Sequence, residues 1–139
     1  MIVADHIVHT TCPYCGVGCQ IDVHVKDDFI FRVDGRRDNL VNKGNLCVKG
    51  RFGFDFVHAP DRLTQPQIRA GRNQPLQEAS WEMALQLVAG RFQTIREQYG
   101  PDSIAVLTSA KCTNEENYLL QKFTRAIIGT NNVDHCARL

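Results

Sequence analysis

Four cysteines constrain this chain more than any other feature. Cys12, Cys15, Cys19 and Cys47 stand in the pattern C-x2-C-x3-C-x27-C. Three of them fall in the short run Cys12-Pro-Tyr-Cys15-Gly-Val-Gly-Cys19. So short a loop cannot hide three thiols in separate parts of a core, so they converge on one small object. Cys47, in Leu46-Cys-Val-Lys-Gly50, brings a fourth thiol from a distance. Four thiolates are what a cubane iron–sulfur cluster needs, one for each iron. Pro13 fixes a bend directly after the first cysteine, and Gly16 and Gly18 let the chain turn between the others.

A structural zinc site and a pair of disulfides are the competing readings. Zinc ribbons present two cysteine pairs, each on its own turn. Here three cysteines stand on one side and one on the other, an asymmetry that favours a cluster loop. The start, Met1-Ile-Val-Ala-Asp-His6, has no basic segment leading into an apolar one, as a secretory signal would. The expectation is therefore a reducing, cytoplasmic setting, in which disulfides are rare.

With 139 residues the chain is one ordinary domain, or a small module plus part of a second. Its 43% hydrophobic and 22% charged content is that of a globular protein. A net charge of +1 creates no field that would draw nucleic acid or an anionic membrane. No apolar run is long enough to span a bilayer.

Two pieces and a connector are legible: residues 1–60 as an iron–sulfur module, 61–80 as the connector, and 81–139 as the incomplete start of an α/β domain. In the first piece Ile21, Val23 and Val25 alternate with polar residues, as do Phe29, Phe31 and Val33 after Asp27-Asp28, which predicts a hairpin. Phe52, Phe54 and Phe56 are expected to pack against the cysteine loop and shield it, and His58 to be a surface or capping residue. Residues 1–10 carry no motif. In the second piece Trp81, Ala84, Leu85, Val88, Phe92, Ile95 and Tyr99 form one helical stripe, with Ser80 as N-cap and Gly100-Pro101 as the stop. Ile104–Leu107 reads as a short buried strand that lacks neighbours. Thr113-Asn-Glu-Glu116 is a capping box, opening a helix with Leu119, Leu120, Phe123, Ala126 and Ile127 inward and Gly129 at its end. The predicted fold class is thus mixed α/β: a small β-rich [4Fe-4S] module followed by the start of an α/β layer.

Several segments carry a family resemblance: Thr11–Cys19, Leu46–Phe56, Asn114–Tyr118 and Gln121–Asp134, with Cys136-Ala-Arg138 after them. Together they resemble the N-terminal part of the catalytic subunit of molybdenum- or tungsten-dependent formate dehydrogenases, which are bis-molybdopterin guanine dinucleotide oxidoreductases. The cysteine loop marks the superfamily, and Gly129–Asp134 with Cys136–Arg138 points to the formate enzymes. The resemblance implies oxidation of formate to carbon dioxide at a metal held by two pterins, with electrons leaving through a [4Fe-4S] cluster on Cys12, Cys15, Cys19 and Cys47. It places Lys49 between cluster and pterin as an electron relay. Arg138 would hold a pterin phosphate or the anionic substrate. Cys112 and Cys136 are not ligands by spacing, and His135 reads as structural. An electron-accepting subunit, or a ferredoxin- or NAD-linked partner, is implied.

Two alternatives stand beside this one: another enzyme of the superfamily, such as a nitrate reductase, and a free-standing iron–sulfur or zinc module. These residues alone are expected to be inactive. In the enzymes it resembles, the metal-ligating cysteine or selenocysteine follows the Cys-Ala-Arg segment after one more residue, the place taken here by Leu139. The expectation is that an in-frame UGA, read as selenocysteine in the natural enzyme, comes next. Sequencing the gene past Leu139 tests this: a cysteine codon, or a true stop with no coding sequence beyond, contradicts it.

Overall fold

A computed structural model describes residues 2–136, which gather into two compact units. The first takes residues 2–62, Leu107–Leu120 and 134–136, and the second takes Leu63–Val106 and Gln121–Val133. The architecture is the mixed α/β one expected.

The first unit is built on an antiparallel sheet ordered β1 (His6–Thr11), β2 (Gln20–Lys26), β3 (Phe29–Gly35). The hairpin read from alternation is β2–β3. Its turn residues Asp27 and Asp28 have φ of 49° and 62°, the left-handed conformation that two-residue hairpin turns require. Aspartate tolerates it better than most residues. Strand β1 lies where no motif was read. Ile7, Val8, Thr10 and Thr11 are β-branched, but all of β1 up to Thr10 is exposed, so no alternation marks it. Opposed side chains fix its register, since His9 Nδ1 meets Asp22 Oδ1 at 2.6 Å.

The core of this unit is Cys12, Ile21 and Val33, with Tyr14, Cys19, Val23, Ile30, Leu46 and Phe54 packed against it. Burying a side chain such as Ile21 or Val33 contributes about 1.5–3 kcal/mol. Two of the cysteines are thus part of the hydrophobic core itself. Of the three aromatics expected to shield the loop, Phe54 does join this core, whereas Phe52 and Phe56 are exposed. The short helix α1 (Val48–Phe52) and the 3-10 turn Asp55–His58 change the periodicity, so the strand-like spacing of the three rings does not place them on one face. His58 is a capping residue in a literal sense: its Nε2 accepts the Ile30 N–H at 3.0 Å and its ring lies 4.6 Å from that of Phe29.

In the second unit a two-residue ladder joins β4 (Gln67–Ile68) to β5 (Gln77–Glu78). Helix α2 spans Trp81–Tyr99; Ser80 Oγ accepts the Met83 N–H at 3.1 Å, and Gly100 ends the helix at φ 82°. Its apolar stripe is only partly covered. Ala84, Phe92 and Ile95 are half-buried, while Trp81, Leu85, Val88 and Tyr99 are exposed.

The expected strand at Ile104–Leu107 is displaced and is not alone. Strand β6 is Val106–Ser109 and pairs with β7 (Val133–Cys136). Ile104 is buried ahead of the strand, and Leu107 is exposed. Helix α3 (Asn114–Phe123) opens with the capping box, in which Thr113 N–H donates to Glu116 Oε2 (2.7 Å) and Glu116 N–H to Thr113 Oγ1 (3.2 Å). Its inward face differs from expectation. The helix widens to a π-helix at Thr124–Ile128, where Gly129 N–H reaches back five residues to Thr124 O at 2.9 Å. That extra residue shifts the phase of the last turn, where Thr124 and Ile128 are buried and Ala126 and Ile127 exposed; Leu119, Leu120 and Phe123, ahead of it, are exposed as well.

A close approach of backbone to backbone fixes Gly35. A Cβ there would lie 2.3 Å from Gly44 O. Gly35→Ala is expected to lower the free energy of unfolding by about 1–3 kcal/mol. Gly90→Ala, inside α2 with nothing within 4 Å of the added carbon, is expected to raise it by about 0.5–1 kcal/mol. Urea unfolding of the two variants checks both signs.

Candidate cluster site

The three-cysteine run is the connection of the β1–β2 hairpin. Thr11 pairs with Gln20 at its base, and Cys12 N–H donates to Cys19 O at 2.8 Å, closing the loop around Cys15. Gln20 Nε2 adds bonds to Thr11 Oγ1 (3.0 Å) and Gly18 O (3.3 Å). Two further side chains tether the loop. Tyr14 Oη donates to Gly53 O just past α1, and Asn114 Nδ2 donates to Gly16 O at 2.7 Å. A Cβ on Gly16 would stand 2.8 Å from Asn114 Oδ1, so a larger residue there would push this tether aside.

Cys47 enters as the N-cap of α1. The backbone N–H of Gly50 holds its thiol below the usual range, against burial, with the amide and charge of Lys49 adding to the effect. Gly50 is buried, and a Cβ on it would lie 3.4 Å from Cys12 Sγ, so α1 approaches the first cysteine closely. Burial pushes the Cys19 thiol up, and the charges of Cys12, Cys15 and Cys47 push it the same way. The fold therefore brings all four sulfurs into one electrostatic neighbourhood, with every cysteine in the free state. Among the described residues no three His, Cys, Asp or Glu side chains close on a single metal ion. A cubane makes no such demand, because each thiolate binds a separate iron. Four free thiols, two of them in a hydrophobic core and one at a helix start, are a donor set suited to that group.

Asn42 links the two cysteine segments. It is 8% exposed; its Oδ1 accepts Gln20 N–H at 2.8 Å, and its Nδ2 donates to Gln20 O (3.1 Å) and Asn45 O (2.9 Å). Arg51 ties α1 to the sheet through Asp34 at 3.2 Å, and Asp34 also meets Arg32 Nε (2.6 Å) and His24 Nε2 (3.1 Å). Burial pushes the Asp34 carboxyl up, but Arg32, His24 and Arg51 outweigh it and hold it below the ordinary carboxylate range.

Lys49 is exposed on α1, and its ammonium meets no carboxylate among the described residues. Arg138 lies outside the described residues. Cys112 is half-buried, with its carbonyl 3.8 Å from where a Gly16 Cβ would be. His135 and Cys136 are exposed on β7. Asn42, Asn114, Tyr14 and Asp34 were not singled out from sequence as site residues. A run dense in Asn and Gly just ahead of Cys47 was the one signal pointing to Asn42.

The chain matches two family models: the molybdopterin oxidoreductase Fe4S4 domain over residues 5–59, and molybdopterin oxidoreductase over residues 62–139. It belongs to the molybdopterin oxidoreductase family, whose domains here carry a [4Fe-4S] cluster and a molybdenum- or tungsten-pterin cofactor. Among curated proteins it is 52% identical to probable oxidoreductase YjgC of Bacillus subtilis, over 93% of this chain and 13% of that protein. It is 48% identical to F420-dependent formate dehydrogenase 1 subunit alpha of Methanococcus maripaludis, over 95% of this chain and 19% of that one. The chain thus spans under a fifth of the length of these relatives. Among solved structures, acetylene hydratase from Pelobacter acetylenicus shares the fold, with a TM-score of 0.72 at 22% identity over 91% of this chain and 18% of that chain.

Cys15→Ser is expected to abolish or strongly deplete iron and sulfide in the purified protein, because a serine hydroxyl is a poor substitute for a thiolate. Cys112→Ser is expected to leave both unchanged. Metal and sulfide analysis of the two variants decides; full retention in both contradicts the ligand set.

Proposed function

We propose that this chain is the N-terminal part of the catalytic subunit of a formate dehydrogenase. The observation that carries the reading is the shared electrostatic neighbourhood of four free thiols, with Lys49, exposed and meeting no carboxylate among the described residues, two residues beyond the last of them. Two relatives at 48% identity, named as alpha subunits of formate dehydrogenases, support the choice of substrate. The fold alone does not choose it, since an acetylene hydratase shares it.

In this reading Cys12, Cys15, Cys19 and Cys47 hold a [4Fe-4S] cluster, one thiolate per iron. When bound, the molybdenum or tungsten bis-pterin centre supplies the two-electron oxidation of formate to carbon dioxide, and the cluster passes electrons onward singly. Lys49, two residues past Cys47, would stand beside the cluster when it is bound, and its ammonium would lower the cost of added negative charge there. Its N–H groups can donate to the pterin. Arg138 holds a pterin phosphate or the anionic substrate through bidentate contacts. Electrons leave to a partner subunit or to a ferredoxin- or NAD-linked acceptor. The activity belongs to the whole protein, and these 139 residues alone do not oxidise formate.

Formate-dependent reduction of a viologen dye by the native protein tests the proposal. Lys49→Ala is expected to cut kcat about tenfold or more, equivalent to roughly 1.4 kcal/mol of barrier, with little change in KM. A native protein that carries its cofactors yet reduces no dye with formate, while turning over another substrate such as nitrate, overturns the choice of formate.

A further inference from the structure

We propose that Asn42 is a positioning residue that sets the spacing of Cys19 and Cys47 before any metal arrives. The inference rests on the reading of the four cysteines as cluster ligands. Gln20 directly follows Cys19, and Asn45 stands two residues before Cys47. The Asn42 carboxamide joins the two, accepting Gln20 N–H at 2.8 Å and donating to Gln20 O at 3.1 Å and Asn45 O at 2.9 Å. It pairs with the backbone of Gln20 as a strand residue would, although it lies in a loop.

The clamp is itself held in place. Asn39 Oδ1 accepts the Asn42 N–H at 3.0 Å, Asn45 Nδ2 returns a bond to Asn42 O at 3.1 Å, and Asn45 N–H reaches the same oxygen at 2.8 Å. Cys12 N–H bonds Cys19 O, so fixing Gln20 also fixes the first ligand relative to the third. No other natural side chain serves here. The group must be short, must accept at one atom and must donate twice from the other. Aspartate keeps the shape and the acceptor but loses both donations, and buries a charge. Glutamine is one methylene too long.

Without the clamp the Cys47 segment loses its side-chain link to Gln20 and is held from the α1 side, where Arg51 meets Asp34 and Tyr14 meets Gly53 O. That corner then becomes the weak one. Under ferricyanide a [4Fe-4S]2+ cluster gives up one Fe2+ and one electron, the electron reducing ferricyanide to ferrocyanide, and leaves [3Fe-4S]+. The charges balance.

The test uses the native protein made in its own host, with Asn42→Ala and Asn42→Asp beside it. Iron and sulfide content of the unaltered protein reports separately on the cluster reading. Both variants are expected to release iron to ferricyanide at least tenfold faster than the unaltered protein, with the electron paramagnetic resonance signal of a three-iron cluster appearing in step. A purely structural asparagine would lower yield and thermal stability but leave the release rate and the spectrum unchanged, and that result overturns the proposal. Hydrogen exchange at the Gln20 amide, followed by mass spectrometry in the unaltered protein, gives an answer even where the variants do not accumulate. Equal protection with and without metal supports a clamp that precedes the cluster, and free exchange in the metal-free form refutes it.

Discussion

In the proposed cluster site four thiols become thiolates in one small space and oppose one another, and the rest of the first unit is the framework that overcomes this. Burial and the charges of its three neighbours push the Cys19 thiol up. Nothing in the thiols themselves draws them together before iron is present. The backbone must therefore do it, through the Cys12–Cys19 bond that closes the loop and the asparagine that ties Gln20 to Asn45. Cys47 is relieved differently, by amide donors at the start of α1 and by Lys49. The site thus mixes one thiol prepared to ionise with another that resists it.

That framework explains the order of elements. A three-cysteine loop needs rigid ends, and β1 and β2 supply them as a hairpin whose register is fixed by opposed residues such as His9 and Asp22. The fourth cysteine needs a rigid element of its own. Helix α1 provides it, held to β3 through Arg51 and Asp34 and placed against Cys12 at the side-chain-free Gly50. Asn114, drawn from far along the sequence, reaches the same loop at Gly16. A segment matched by the second family model therefore helps to hold the loop matched by the first.

Much of this was legible in the residues. The cysteine spacing, the Asp27-Asp28 turn, the Ser80 cap and the Thr113–Glu116 box depend on local chemistry, and the structure places each turn and cap where that chemistry puts it. What was missed depends on non-local partners. Strand β1 has no alternation because both its faces are exposed up to Thr10. Strand β7 gives β6 a neighbour that the reading of Ile104–Leu107 as a lone strand did not supply. At the end of α3 a single π-turn shifts the phase, so that Thr124 and Ile128 are buried in place of Ala126 and Ile127, and no residue type announces such a turn. Asn42 lies in a loop, and its role rests on three side-chain bonds to Gln20 and Asn45 that no local sequence pattern shows.

The central claim is that these four cysteines hold a [4Fe-4S] cluster, and anaerobic purification of the native protein followed by iron, zinc and acid-labile sulfide analysis tests it most directly. The account predicts a brown protein whose Cys12–Cys47 site accounts for four irons and four sulfides. One zinc per site with no sulfide, in a colourless protein, would contradict it.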